Sequence, residues 1–175
     1  MVLSLMRCPD RERSKKMSID KKNKFKHTGI HILFVIYAAV LLRITVFRTG
    51  IGFHDLMKNG NINLTLFESY GPLLKTGNWW RIIYLFIGNI IWFVPLGFYL
   101  ECMTKIEKVW LMVLIGLLFS LLIETLQYIF GTGISEIDDL ILNSFGTWIG
   151  VLGGKMLFML RGKLEKGYEG SYKNS

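Results

Sequence analysis

The sequence predicts an all-α polytopic membrane protein, a four-transmembrane-helix bundle with a kinked second helix and N- and C-termini on the cytoplasmic side. Three observations predict it. Apolar residues make up 51% of the 175-residue chain and mean hydropathy is +0.39, yet the charges crowd into the ends and a few connections. Four apolar runs approach the ~20 residues that a helix needs to cross a bilayer core. Lys and Arg are distributed unequally between alternate connections, which orients a membrane chain. The length suits one domain.

Residues 1–28 form a basic cytoplasmic tail with nine Lys/Arg against three acidic residues. Such a tail is drawn to anionic headgroups. No folded reading module accompanies it, so a nucleic-acid partner is not expected. No cleavable signal peptide is apparent. Leu5-Met6-Arg7-Cys8 puts Arg directly before Cys and lacks the apolar run that a lipoprotein signal requires. Met17 opens a more ordinary beginning, so residues 1–16 read as a disordered tail upstream of an alternative start. Cys8 and Cys102 fall on the cytoplasmic side of this topology and read as free thiols.

The first span covers about residues 29–47. His27 and His31 are spaced like helical metal ligands, but no third ligand is near in the sequence, and both read as interfacial. Arg43, one turn inside the far end, either snorkels outward or pairs with a carboxylate. The outer loop, 48–81, is broken by Gly50, Gly52, Gly60, Gly71 and Gly77, and carries His54 and an amphipathic piece, Asn61 to Phe67. Asn63-Leu64-Thr65 matches a glycosylation acceptor that has meaning only in a secreting eukaryote. Trp79 and Trp80 form an interfacial belt before the second span, 82–100. Pro95 removes a backbone bond there and kinks the helix, which membrane bundles tolerate. Asn89 should face protein, where its amide can bond across helices.

The third span, 109–130, places Ser120, Glu124, Gln127 and Tyr128 on one helical face. A hairpin, Gly131 to Ile137, leads to the fourth span, 138–160. On that span Asp139, Asn143, Gly146, Gly150 and Gly153 fall within an arc of about 80°, so a polar face coincides with a close-packing one. The membrane domain thus covers 29–160, and 161–175 is a second basic cytoplasmic tail. With the N-terminus inside, inner segments hold fifteen Lys/Arg against four outside. The hairpin then faces outward.

Function is sought at that hairpin. An ionised Asp or Glu at the centre of a lipid-facing helix costs about 2.5–3.5 kcal/mol on insertion scales, so such groups normally face protein or a wet cavity. Asn89, Glu124, Gln127 and Asn143 come from three spans to similar depth in the outer half of the membrane, with Asp138 and Asp139 at the rim, and these six are the candidate binding residues. The expected partners are the lipid bilayer and, at this cluster, a lipid headgroup, a cell-wall precursor or a lipoglycopeptide. Gly146 and Gly150 are structural, as is Pro95.

The pieces Asn89-Ile-Ile-Trp-Phe-Val-Pro-Leu-Gly97, Glu124-Thr-Leu-Gln127, and Asp138-Asp-Leu-Ile-Leu-Asn143 with Gly146 and Gly150 resemble the VanZ-like family of bacterial membrane proteins. The resemblance covers most of Asn61 to Gly154 and adds Gly97 to the structural positions. Asn63-Leu-Thr-Leu-Phe67 is similar to the family's Asn-Leu-x-Pro-Phe element, with Leu66 where proline is usual, and Glu136 stands where aspartate is common. The resemblance implies a multi-pass protein of the bacterial cytoplasmic membrane. The family's namesake is associated with lowered susceptibility to teicoplanin, a lipoglycopeptide that acts outside the cell. No reaction is implied.

Three roles follow. In the first, a non-catalytic envelope protein binds its ligand at the outward cluster. In the alternative, a membrane-embedded enzyme acts on a lipid-linked substrate, with Glu124, Asp138 and Asp139 as acid and base or as ligands for Mg²⁺ or Ca²⁺. Zinc and other cofactors are not expected, because none of the three histidines and neither cysteine lies in the cluster. In the third, the polar groups only hold the bundle together, Arg43 neutralising Glu124 and Asn89 bonding Asn143.

Overall fold

The computed structural model describes residues 9–47 and 61–173. Cys8 and the rest of residues 1–8, and the loop residues 48–60 with His54, Gly50, Gly52 and Gly60, lie outside the described residues. In chain order the elements are α1 (Pro9–Thr45), β1 (Asn61–Asn63), α2 (Tyr70–Lys75), α3 (Trp79–Met103), α4 (Val109–Phe130), β2 (Ile134–Glu136) and α5 (Ile137–Lys173). Among the described residues, four helices contain segments long and apolar enough to cross a membrane: His27–Thr45, Trp79–Met103, Val109–Phe130 and Ile137–Leu164.

Helix outruns the apolar segments at both ends of the chain. The expected disordered start gives way to α1 from Pro9, and α5 continues through the basic tail to Lys173. The reason is propensity: Lys, Arg and Glu favour helix once a turn exists, and proline suits the first helical position. Elsewhere the boundaries follow local chemistry. The Asn78 side chain accepts from the Arg81 N–H at 3.2 Å and opens α3. Gly131, in the left-handed region at φ 61°, closes α4.

The chain divides into two compact units, Met1–Ala39 and Val40–Ser175. The first comprises the N-terminal part of α1 in the described residues. In the second, α5 packs against both α3 and α4. Phe93, Leu96, Leu100, Met112, Ile123, Leu142 and Val151 are buried there, and the Phe93 and Phe119 rings lie 6.1 Å apart. Large apolar side chains such as Trp92, Trp110, Leu118, Leu121, Ile141 and Leu152 face outward, as lipid-facing surfaces require.

Close approach of α5 to its neighbours depends on glycine. A Cβ at Gly146 would run into the Ile90 carbonyl, one at Gly150 into the Val94 carbonyl, and one at Gly97 into the Thr147 carbonyl. At Gly116 it would strike the Thr147 side chain. The seam is therefore within one chain. It continues through Gly154, where a Cβ would stand 2.8 Å from Glu101, rather than through Gly153, where the nearest atom is an ordinary 3.9 Å away. The fourfold spacing Gly146, Gly150, Gly154 keeps to one helical stripe, and the expected Gly153 falls off it. At the end of α3 remote from the hairpin, Lys155 sits 3.9 Å from Glu101.

Overpacking this seam should cost about 1–3 kcal/mol or more. Gly150→Leu is expected to lower the thermal midpoint and the yield of monodisperse protein in detergent. Gly88→Ala, at a position with nothing within 4 Å of the added carbon, should leave both unchanged or improved.

Candidate functional site

The hairpin between α4 and α5 is held by its own acids. β2 pairs in parallel with β1, Asn61 opposite Ile134, Ile62 opposite Ser135 and Asn63 opposite Glu136. One carboxylate oxygen of Glu124 accepts the Glu136 N–H at 3.1 Å, and the Ser135 hydroxyl donates to the Glu124 carbonyl at 2.7 Å. Glu124 is 5% exposed. Such an acid in an apolar span is tolerated because protein, rather than lipid, surrounds it.

Asp138 and Asp139 occupy the first turn of α5, where acceptors complement free N–H groups and the helix dipole. Asp138 reaches away from its helix and accepts the Phe67 N–H at 2.8 Å. Phe67 has φ 58°, a left-handed conformation that costs a non-glycine residue about 1–2 kcal/mol. The turn is held on both sides, since the Phe67 carbonyl accepts the Tyr70 N–H at 3.1 Å. The Ser69 hydroxyl donates to Glu136. Tyr70 is buried and its ring lies 5.9 Å from that of Phe67 and 6.5 Å from that of Phe86. Burial first, and then the carboxylates of Asp139, Asp138 and Glu136, push its hydroxyl pKa up to about 12.

These ties leave a cavity of about 310 Å³ with Ser69, Tyr70, Asn89, Gln127, Thr132, Glu136 and Asp139 among its walls. The Asn89 amide donates to Asp139 at 2.5 Å. The Gln127 amide donates to the Thr45 carbonyl at 3.2 Å. The Gln127 carbonyl oxygen and the Thr132 hydroxyl are buried without a partner among the described residues, as is the second oxygen of Asp138. Alongside, an apolar groove of about 210 Å³ is bounded by Ile62, Leu64, Leu121, Tyr128 and Leu140, with Glu124 and Glu136 at its edge.

Of the six binding candidates, Asn89, Gln127 and Asp139 meet in the polar cavity. Glu124 borders the apolar groove, and Asp138 anchors the loop. Asn143 bonds instead to the Ser120 hydroxyl at 2.8 Å, in a buried pair between α4 and α5. That corrects the expected Asn89–Asn143 bond: Asn143 faces α4, while Asn89 on α3 meets Asp139 one turn nearer the hairpin. The expected Arg43–Glu124 pair is also overturned. Arg43 donates to the Phe47 carbonyl of its own segment, and Glu124 is engaged by the Glu136 N–H. Ser69, Tyr70 and Thr132 were not signalled by the sequence, because their place depends on a pairing between strands far apart in the chain. Among the described residues, no three His, Cys, Asp or Glu side chains are grouped to hold a metal ion.

A family model described as VanZ/LLP1 matches residues 34–159. No curated protein matches the chain. No solved structure matches it either.

Removing the Asp138 acceptor leaves the Phe67 N–H without its partner, at a cost of about 1–3 kcal/mol. Asp138→Ala should therefore lower the thermal midpoint and speed hydrogen exchange at Phe67 and Tyr70. The Tyr70 shift has a definite sign: the folded chain keeps a proton that the unfolded chain releases above its ordinary pKa of 10.0, so stability falls as pH rises from there towards about 12. In Tyr70→Phe the decline of the thermal midpoint over that window should be shallower.

Proposed function

Because the chain belongs to the VanZ/LLP1 family, we propose that this multi-pass membrane protein is a non-catalytic component of the bacterial cell envelope. Its hairpin cavity holds the polar head of an outer-leaflet or cell-wall component and thereby lowers susceptibility to teicoplanin-type lipoglycopeptides. The observation that carries this is the cavity itself, about 310 Å³ of space among Asn89, Gln127, Glu136 and Asp139 in a chain whose surroundings are otherwise apolar. Polar space at the end of membrane spans is costly to maintain without a guest or water to satisfy it. The distribution of Lys and Arg, fifteen against four, supports a cytoplasmic location for both termini and an outward one for the cavity.

Binding accounts for the acids better than catalysis does. A general acid and base must both reach the reacting atoms. Glu124 and Asp138 instead each give a carboxylate oxygen to a backbone N–H, those of Glu136 and Phe67. Asp139 alone of the three candidates lines the polar cavity.

Deleting the gene in its host should lower the teicoplanin concentration that inhibits growth. Wild-type protein and Glu107→Gln, in the exposed α3–α4 connection, should restore it, and Asp139→Asn at equal abundance should not. Unchanged susceptibility on deletion contradicts the drug-related role. The orientation is tested separately by placing a single cysteine at the exposed Asn61 in a background with Cys8 and Cys102 replaced. A membrane-impermeant thiol reagent should label it in intact cells, whereas labelling only after permeabilisation reverses the topology.

A further inference from the structure

We propose that the guest of the polar cavity is a primary ammonium group, carried on the head of a lipid-anchored molecule in the outer leaflet. This rests on the binding role proposed above and specifies its chemistry.

The walls hold more acceptors than donors. The Asn89 amide is engaged by Asp139, the Gln127 amide by the Thr45 carbonyl, and the Ser69 hydroxyl by Glu136. Of the groups left over, the Thr132 hydroxyl can donate or accept and the rest accept. The Gln127 carbonyl oxygen is buried with no partner among the described residues, and Asp139 and Glu136 bring two carboxyl groups. Asp138, 2% exposed and next to Asp139 in the chain, lies outside the cavity's lining and keeps a second carboxyl oxygen without a partner among the described residues.

Among the described residues, no Lys, Arg or His lines the cavity. Arg43, the cation of α1 nearest in sequence to Thr45, is turned to the Phe47 carbonyl. Asp139 and Glu136 are half-buried, and carboxyl groups drawn partly out of water without a counter-charge among the described residues carry a desolvation cost that a cationic guest offsets. Anionic and purely accepting heads, such as a bare phosphate, are disfavoured by the same groups.

Size and donor count narrow the cation. About 310 Å³ is roughly ten times the ~30 Å³ share of one water, too large for a bare ion, and no three metal-ligating side chains are grouped among the described residues. An ammonium offers three N–H donors, which the Gln127 oxygen and the Asp139 and Glu136 carboxyl groups can take. The neighbouring apolar groove, which shares Glu136 with the cavity and is bounded by Ile62, Leu64, Leu121 and Leu140, provides hydrocarbon contact for a lipid anchor.

The test uses full-length purified protein, delipidated and then exposed to vesicles of dioleoylphosphatidylethanolamine, dioleoylphosphatidylcholine or dioleoylphosphatidylglycerol, with retained lipid counted by native mass spectrometry. Phosphatidylethanolamine should be retained about tenfold or more over the other two, the scale of one charge-assisted hydrogen bond. Asp139→Asn should remove that preference. If that variant does not fold, Thr132→Val, which changes one hydroxyl of the wall, should reduce it. Equal retention of all three lipids overturns the ammonium assignment and leaves head-group binding standing. Retention of the choline lipid equal to that of the ethanolamine lipid, with the glycerol lipid excluded, also overturns it, because charge without N–H donors then suffices. No retention of any lipid overturns both proposals. Displacement by soluble ethanolamine phosphate at the same concentration as the lipid overturns the requirement for a lipid anchor.

Discussion

Two carboxylates accept backbone N–H groups at the hairpin end of the molecule, Glu124 from Glu136 and Asp138 from Phe67. The first fixes the hairpin onto α4. The second fixes the loop before α2 onto the start of α5. Each of these N–H groups would otherwise be a cost in a setting where water is scarce, and each carboxylate would otherwise be an uncompensated acid. Satisfying one with the other lowers both costs, and a β1–β2 ladder of three residue pairs sits at the ends of the apolar helices. The left-handed Phe67 is held because its N–H and carbonyl are both engaged, a case of local strain sustained by its surroundings.

The glycine seam then sets how the polar groups meet. Gly97, Gly146 and Gly150 let the backbones of α3 and α5 approach until a side-chain carbon would collide with the facing carbonyl. At that separation the short Asn89 side chain reaches Asp139 at 2.5 Å. Thr147 occupies the space left by Gly116 on α4, so the same helix is fitted to both neighbours. Packing and site are therefore linked: the cavity exists where the seam ends and the hairpin ties begin. Its walls come from the end of α1, from α2, α3, α4 and α5 and from β2, each delivering one or a few groups.

Much of this was legible in the sequence. Hydropathy and length located all four spans to within a few residues, because lipid imposes one rule on every spanning helix. Helical spacing singled out Asn89, Glu124, Gln127 and Asn143 as groups at similar depth with Asp139 at the rim; Asn89 and Gln127 share the polar cavity with Asp139, whereas Glu124 borders the groove and Asn143 pairs with Ser120. Partner choice was not legible. Depth alone does not distinguish Asn89 facing Asn143 from Asn89 facing Asp139, since the two candidates are one turn apart on the same stripe. Arg43 was too close to its own helix end, where the Phe47 carbonyl competes with any distant carboxylate. The parallel ladder had no local signal at all, since three-residue strands far apart in the chain carry no periodicity. Glu136, an acid of the hairpin stretch that was not among the six binding candidates, lines the cavity, and Ser69, Tyr70 and Thr132 line it too.

The cavity is either a place for a guest or a flaw in packing. An experimental map of the protein in a bilayer of mixed phosphatidylethanolamine and phosphatidylglycerol tests this most directly. It should show a head group inside the cavity, with its nitrogen within hydrogen-bond distance of Asp139 and of the Gln127 carbonyl oxygen. A collapsed cavity, in which Asp139 and Gln127 are satisfied by groups of the chain itself, would contradict it.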